Sequence, residues 1–305
     1  MAGIVKDRKL GAEIFTMRIG ITGVTGLIGR RVAGLARERG HEVIGFTRAP
    51  EREGDRRLST EEGPDVTGCD AIVNLAGENV AGLWTRGKRR AIRESRVLGT
   101  RRMVEAIRGT SGGPGVLVNG SAIGIYGDTG ERVTEEGAEH GRGFLAEVCE
   151  AWEGEALRAR EAGVRVVLLR TGMVLAREGG ALRAMLRVFR MGLGGKLGNG
   201  RQWMSWIHIE DEAELALAAV ENGAMEGAVN GTAPSPVRNG EFTRALAERV
   251  GRAALFRVPA LALRVAGGFA AELLESRRIV PAAAGRAGFG FRYPDIERAL
   301  GDLLK

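Results

Sequence analysis

The chain has 305 residues, 44% hydrophobic and 27% charged, a composition that excludes disordered, collagenous and membrane-spanning classes. Two cysteines, Cys69 and Cys149, and three histidines at positions lacking metal-ligand spacing exclude a disulfide scaffold and a zinc centre. The net charge of +7 comes almost wholly from arginines interleaved with glutamates, and only 5% of residues are aromatic, so nucleic acid is excluded as a partner.

Residues 1–16 carry Asp7 and Glu13 and lack an apolar core, so they read as an N-terminal extension and not as a secretory signal. The cytoplasm is the expected compartment. From Met17 onward strand and helix signals alternate. Ile19 and Ile21 mark a buried strand, and Leu27, Ile28, Val32 and Leu35 mark a helix that ends at Gly40. Val43–Phe46 is the next strand. Then come Ala71–Leu75 (strand), Lys88–Arg108 (helix), Val116–Asn119 (strand), Phe144–Ala162 (helix) and Val166–Leu169 (strand). These strands are apolar without alternation, as in a parallel sheet covered on both faces. The pattern loosens beyond about residue 175. A glycine-rich run, Gly192–Gly200, leads into Trp203–His208, a helix over Glu210–Glu221 and a strand near Ala228–Thr232. Helices follow near Gly240–Val250, Pro259–Glu275 and Pro294–Leu303.

This order predicts an α/β fold: a doubly wound parallel sheet over residues 17–175 with parts of 206–232, and a smaller, mostly helical C-terminal substrate lobe over 176–305. Its chemistry centres on Gly23, Gly26 and Gly29. Three glycines follow a strand and open a helix inside a βαβ unit of about thirty residues. Glycine permits the positive φ of the turn and a close approach of main chain to ligand. The helix start then offers free N–H groups to an anion, so the turn reads as a dinucleotide site.

The motifs extend further. Thr22–Gly29, Asn74–Glu78, Gly120–Gly127, Leu169–Gly172 and Trp206–Asp211 recur in the order of the extended short-chain dehydrogenases/reductases. The combination resembles an atypical branch of them, the "epimerase family protein" group. That group ends in a domain of unknown function, here about residues 252–300. The resemblance implies a Rossmann-like fold that binds NADP or NAD. Gly23, Thr25, Gly26, Leu27, Ile28 and Gly29 would hold the pyrophosphate, and Leu75, Ala76 and Gly77 would line the crevice. Arg48, just past the second strand, would accept a 2′-phosphate, which favours NADP over NAD. Relatives pair through helices equivalent to Lys88–Arg108 and Phe144–Ala162, which leaves a homodimer open.

One departure is chemical. The family uses a Tyr followed four residues later by a Lys to move the proton that accompanies hydride transfer. Gly130 and Glu297 stand four residues beyond Tyr126 and Tyr293, and the expected pair falls on Leu145 and Cys149. Neither can do that work. Near the expected centre remain Ser121, Tyr126, Cys149, Glu147 and Glu150, with Arg170, Arg201 and His208 from the second half. Of these, Ser121 and Tyr126 are the leading catalytic candidates, with Ser121 also placed to bind substrate. Arg201, after the glycine run, is a candidate clamp for an anionic group on a small-molecule substrate. Two functions compete: an oxidoreductase or epimerase/dehydratase with a non-standard proton donor, and a dinucleotide-binding sensor or scaffold without turnover.

Overall fold

The computed structural model describes residues 4–6, 13–50, 52–58 and 63–305. Seven strands form one parallel sheet: β1 (Arg18–Thr22), β2 (Glu42–Thr47), β3 (Arg56–Arg57), β4 (Ala71–Asn74), β5 (Val116–Ala122), β6 (Arg165–Thr171) and β7 (Gly227–Gly231). Their order is β3-β2-β1-β4-β5-β6-β7. The strands have no polar face because both sides are covered. Ile19, Ile21, Val73, Val118 and Val167 meet helices α1 (Leu27–Glu38) and, later in the chain, Ile209–Glu221. Ile72, Leu117, Val166 and Leu168 point the other way, toward α2 (Arg86–Gly109) and α3 (Phe144–Leu157). The doubly wound architecture is therefore the one the alternating signals predict. Most of the expected N-terminal extension lies outside the described residues; within them, Ile4–Lys6 pairs antiparallel with Glu13–Phe15.

The order reverses between β1 and β4. The chain leaves β1 over one face and β4 over the other, and the diverging loops open a crevice at the carboxyl ends of these two strands.

Beyond β6 the chain adds α4 (Gly180–Arg190), α5 (Ile209–Glu221), α6 (Asn239–Val250), α7 (Ala260–Ala266), α8 (Phe269–Glu272), α9 (Ala282–Arg286) and α10 (Ile296–Leu303). Leu182, Leu186, Trp206, Phe242, Leu246, Tyr293, Ile296 and Leu300 make a second core among them. The terminal segment is fixed to α5 by polar contacts as well. Both Asp211 carboxylate oxygens accept main-chain N–H groups, from Arg292 and Tyr293, at 2.9 Å each. The His208 ring stacks on Tyr293 with centroids 3.8 Å apart. Among the described residues no helix is long and apolar enough to cross a membrane.

Two elements differ from the sequence pattern. The single helix expected over Pro259–Glu275 is broken into α7 and α8 at Gly267 and Gly268, whose φ angles are +62° and +57°. The break lets the main chain press onto the loop before α2: a methyl group on Gly268 would lie 2.7 Å from Gly82 O and Trp84 N. α4 has no counterpart in the predicted elements. It begins beside a glycine pair, and its buried residues Leu182, Leu186 and Phe189 are separated by exposed arginines.

Candidate functional site

The turn after β1 is shaped for close main-chain packing. Gly23 has a φ of +67°, and its carbonyl accepts Gly26 N–H at 2.8 Å. A methyl group on Gly29 would come within 2.2 Å of that same carbonyl oxygen, so only glycine lets α1 start against the turn. Gly26 is the N-cap of α1, no side chain caps that end, and its first turn holds no acidic residue. The first N–H groups and the positive helix end are therefore left to a ligand, and an anion fits there. Thr25 and Gly26 are exposed at the mouth, while Leu27 and Ile28 are half-buried.

Across the crevice stands the main chain of Leu75, Ala76 and Gly77. A methyl group on Gly23 would lie 3.0 Å from Leu75 C and 3.1 Å from Ala76 N, so the structure brings these two expected segments face to face. Below them runs a buried polar network. Thr22 Oγ1 donates to Asn74 Oδ1 at 2.7 Å and accepts Leu75 N–H at 2.9 Å and Ala76 N–H at 3.0 Å. Asn74 Nδ2 donates to Asn119 Oδ1 at 2.7 Å and Thr100 Oγ1 at 3.0 Å, and Trp152 Nε1 donates to Thr100 Oγ1 at 2.8 Å. Three strands and two helices are thus tied together at the crevice. Arg48 is exposed one residue past β2 and makes no hydrogen bond among the described residues.

Ser121 and Tyr126 come together in a second buried network, at the end of β5 and the turn that follows. Ser121 Oγ donates to Glu153 Oε1 at 2.6 Å. Arg170 forks onto the same carboxylate, with Nε and Nη2 each 2.8 Å from a Glu153 oxygen. Arg170 Nη1 donates to the Tyr126 hydroxyl at 2.8 Å, and that hydroxyl donates its own proton to Asn230 Oδ1 at 2.7 Å. Burial raises the Tyr126 pKa above the ordinary phenol value. Cys149 is buried too, and loss of solvent pushes its thiol up to about 11. Arg201 lies elsewhere, exposed on the turn before Trp203, with its carbonyl accepting from Arg238.

Glu153, Arg96 and Glu212 escape the sequence reading, and one signal marks all three: an ionisable residue on a buried helix stripe. Glu153 follows Cys149 by one turn. Arg96 lies between Ile92 and Thr100. Glu212 shares the stripe of Ile209, Ala213 and Ala216. Glu212 is fully buried: Thr171 Oγ1 donates to its Oε1 at 2.6 Å, and Oε2 has no partner. Burial pushes its pKa up to about 7, against 4.5 for an ordinary glutamate. Between those pH values the folded chain holds a proton that the unfolded chain has released. Stability therefore falls as pH rises from 4.5 toward 7, and the loss is complete above 7. Urea denaturation at pH 4.5 and pH 8 should show the parent losing about 2–3 kcal/mol more than Glu212→Gln over that interval. Identical pH profiles would mean that Glu212 does not titrate in this way.

A surface concavity of about 710 Å³ between Lys196, Arg238 and α6 lies apart from the crevice, and none of the crevice residues named above lines it.

Residues 19–230 match the model of the NAD dependent epimerase/dehydratase family, and residues 258–303 match a domain of unknown function (DUF1731). An "epimerase family protein" of Mycobacterium leprae is 40% identical over 290 residues, covering 92% of this chain and 94% of its own. The crystal structure of human epimerase family protein SDR39U1 with NADPH superposes with a TM-score of 0.88 at 31% identity, covering 94% of this chain and 99% of that one. A nucleoside-diphosphate sugar epimerase of Corynebacterium glutamicum gives a TM-score of 0.79 at 34% identity, over 95% of this chain and 58% of that one.

Proposed function

The chain belongs to the NAD-dependent epimerase/dehydratase family, and from that premise we propose that it binds NADP(H) in the crevice and turns over a small polar substrate there. The observation behind this reading is the uncapped start of α1 at the reversal of strand order, walled by Leu75–Gly77. Main-chain N–H groups of Thr25–Gly29 would hold the pyrophosphate, and Arg48 the 2′-phosphate. NADPH supplies a hydride when bound; the accompanying proton must be handled without a Tyr–Lys pair. Ser121 and Tyr126 contribute through the Glu153–Arg170 network, which holds both hydroxyls in one orientation.

The committed Tyr126 proton supports one second reading, a dinucleotide-binding sensor without turnover. Both readings predict the cofactor, and the nucleotide preference tests it. Arg48→Glu should weaken NADPH by at least about 10-fold, as loss of a charge-assisted contact implies, and NADH by much less, measured by nicotinamide fluorescence titration. Equal losses for the two would remove the 2′-phosphate assignment. Reduced or oxidised cofactor followed at 340 nm against aldehydes, ketones and sugar nucleotides then separates a reductase from a sensor.

A further inference from the structure

The wall of the crevice contains a cation that the functional reading above does not use. Arg96 reaches from α2 to Gly77, where a methyl group would lie 3.1 Å from its Cζ and 3.3 Å from both terminal nitrogens. Its other flank lies over the Trp152 ring, with Cζ 5.2 Å from the centroid. Nη1 donates to the main-chain oxygens of Glu78 at 2.9 Å and Ile92 at 3.2 Å. Nε and Nη2 make no hydrogen bond among the described residues, and no described carboxylate pairs with the group. The two nearby acids are already engaged, Glu78 with Lys88 at 2.6 Å and Glu153 with Arg170 at 2.8 Å. Burial lowers the Arg96 pKa, but a guanidinium stays charged through the physiological range.

The guanidinium is half-buried, and the two donors that the protein leaves free are not sealed from solvent. Gly77 leaves room for the guanidinium itself, which lies against the main chain of the crevice wall with donors to spare for an incoming oxygen acceptor. The two α3 positions where the family's Tyr and Lys would fall hold Leu145 and Cys149, and α3 carries no cation of its own. We propose that Arg96 is the fixed cation of the reaction centre, donating from Nε and Nη2 to an oxygen acceptor in the crevice. This rests on the cofactor reading. The acceptor has two sources, a hydroxyl of the bound dinucleotide or a carbonyl or carboxylate oxygen of the substrate. As a fixed positive charge, Arg96 would also disfavour the positively charged oxidised nicotinamide relative to the neutral reduced one.

The test uses the full chain as wild type, Arg96→Gln and Arg96→Lys, each first checked for an unchanged circular dichroism spectrum. NADPH and NADP⁺ are titrated separately by tryptophan quenching. Oxalate, a small oxygen-rich anion, is then titrated into the NADPH-loaded protein by nicotinamide fluorescence. If the dinucleotide supplies the oxygen, Arg96→Gln weakens NADPH about 10-fold. The preference for NADPH over NADP⁺ then falls at least about 3-fold and recovers in Arg96→Lys. If the substrate supplies it, both cofactor affinities hold and oxalate binding is lost. Arg96→Gln matching wild type in all three titrations overturns the assignment while the cofactor reading stands. Wild type that binds neither nucleotide overturns both.

Discussion

Gly29→Ala should abolish NADPH binding, weakening it by more than about 100-fold, and should lower stability by about 1–3 kcal/mol. The added methyl group would fall 2.2 Å from Gly23 O and 2.8 Å from Gly23 C, main-chain atoms that cannot rotate out of the way. The turn must open or α1 must shift, and either movement spoils the alignment of N–H groups that an anion needs. Gly34→Ala in the same helix is the control. Its nearest neighbour would be the flexible Arg31 side chain, with Nη1 at 3.5 Å. That change should leave binding intact and stabilise the helix by about 0.5–1 kcal/mol. Fluorescence titration and thermal melts of both variants decide the matter. A Gly29→Ala protein that binds NADPH normally would place the anion site elsewhere.

Glu153→Ala should be among the most destabilising single changes in the chain, at about 3–5 kcal/mol. It would strand the Arg170 guanidinium, whose side chain is only 5% exposed, and would leave Ser121 Oγ without its acceptor. Stability lost in this way reflects an unpaired buried charge more than the strength of the pair. The double variant Glu153→Leu with Arg170→Met should therefore recover most of the loss in urea denaturation, because neither charge is then left alone. If the double change costs as much as the two single changes added together, the pair is not the reason for the cost.

The glycine turn and the flanking strands are legible because they depend on local rules, whereas the crevice wall at Leu75–Gly77 follows from the family resemblance. A strand buried on both faces shows no alternation of apolar and polar positions, and glycine is required where main chain meets main chain. The second network is legible in part, because Ser121, Tyr126 and Arg170 fall within the recurring segments Gly120–Gly127 and Leu169–Gly172. Glu153 in α3 looks like one more helix charge, and only the fold places it between Ser121 and Arg170. The break at Gly267–Gly268 was visible as composition, but its cause is contact with Gly82 and Trp84, some 180 residues earlier in the sequence. Arg96 falls between these cases: its place on a buried stripe is readable, while its lack of a carboxylate partner is not.

The way the last residues enter the second core bears on how the protein is made. Tyr293, Ile296, Leu300 and Leu303 pack with Leu182, Leu186, Phe242 and Leu246, which are translated well before them. A ribosome that has synthesised α4 and α6 has therefore exposed an apolar surface whose cover is still to come, and partially exposed cores of this kind are prone to aggregate. The sheet can close earlier, since β7 ends at Gly231. Synthesis thus passes through a stage with a finished parallel sheet and an unsealed neighbour. Until α10 emerges, the nascent chain is a natural client for chaperones.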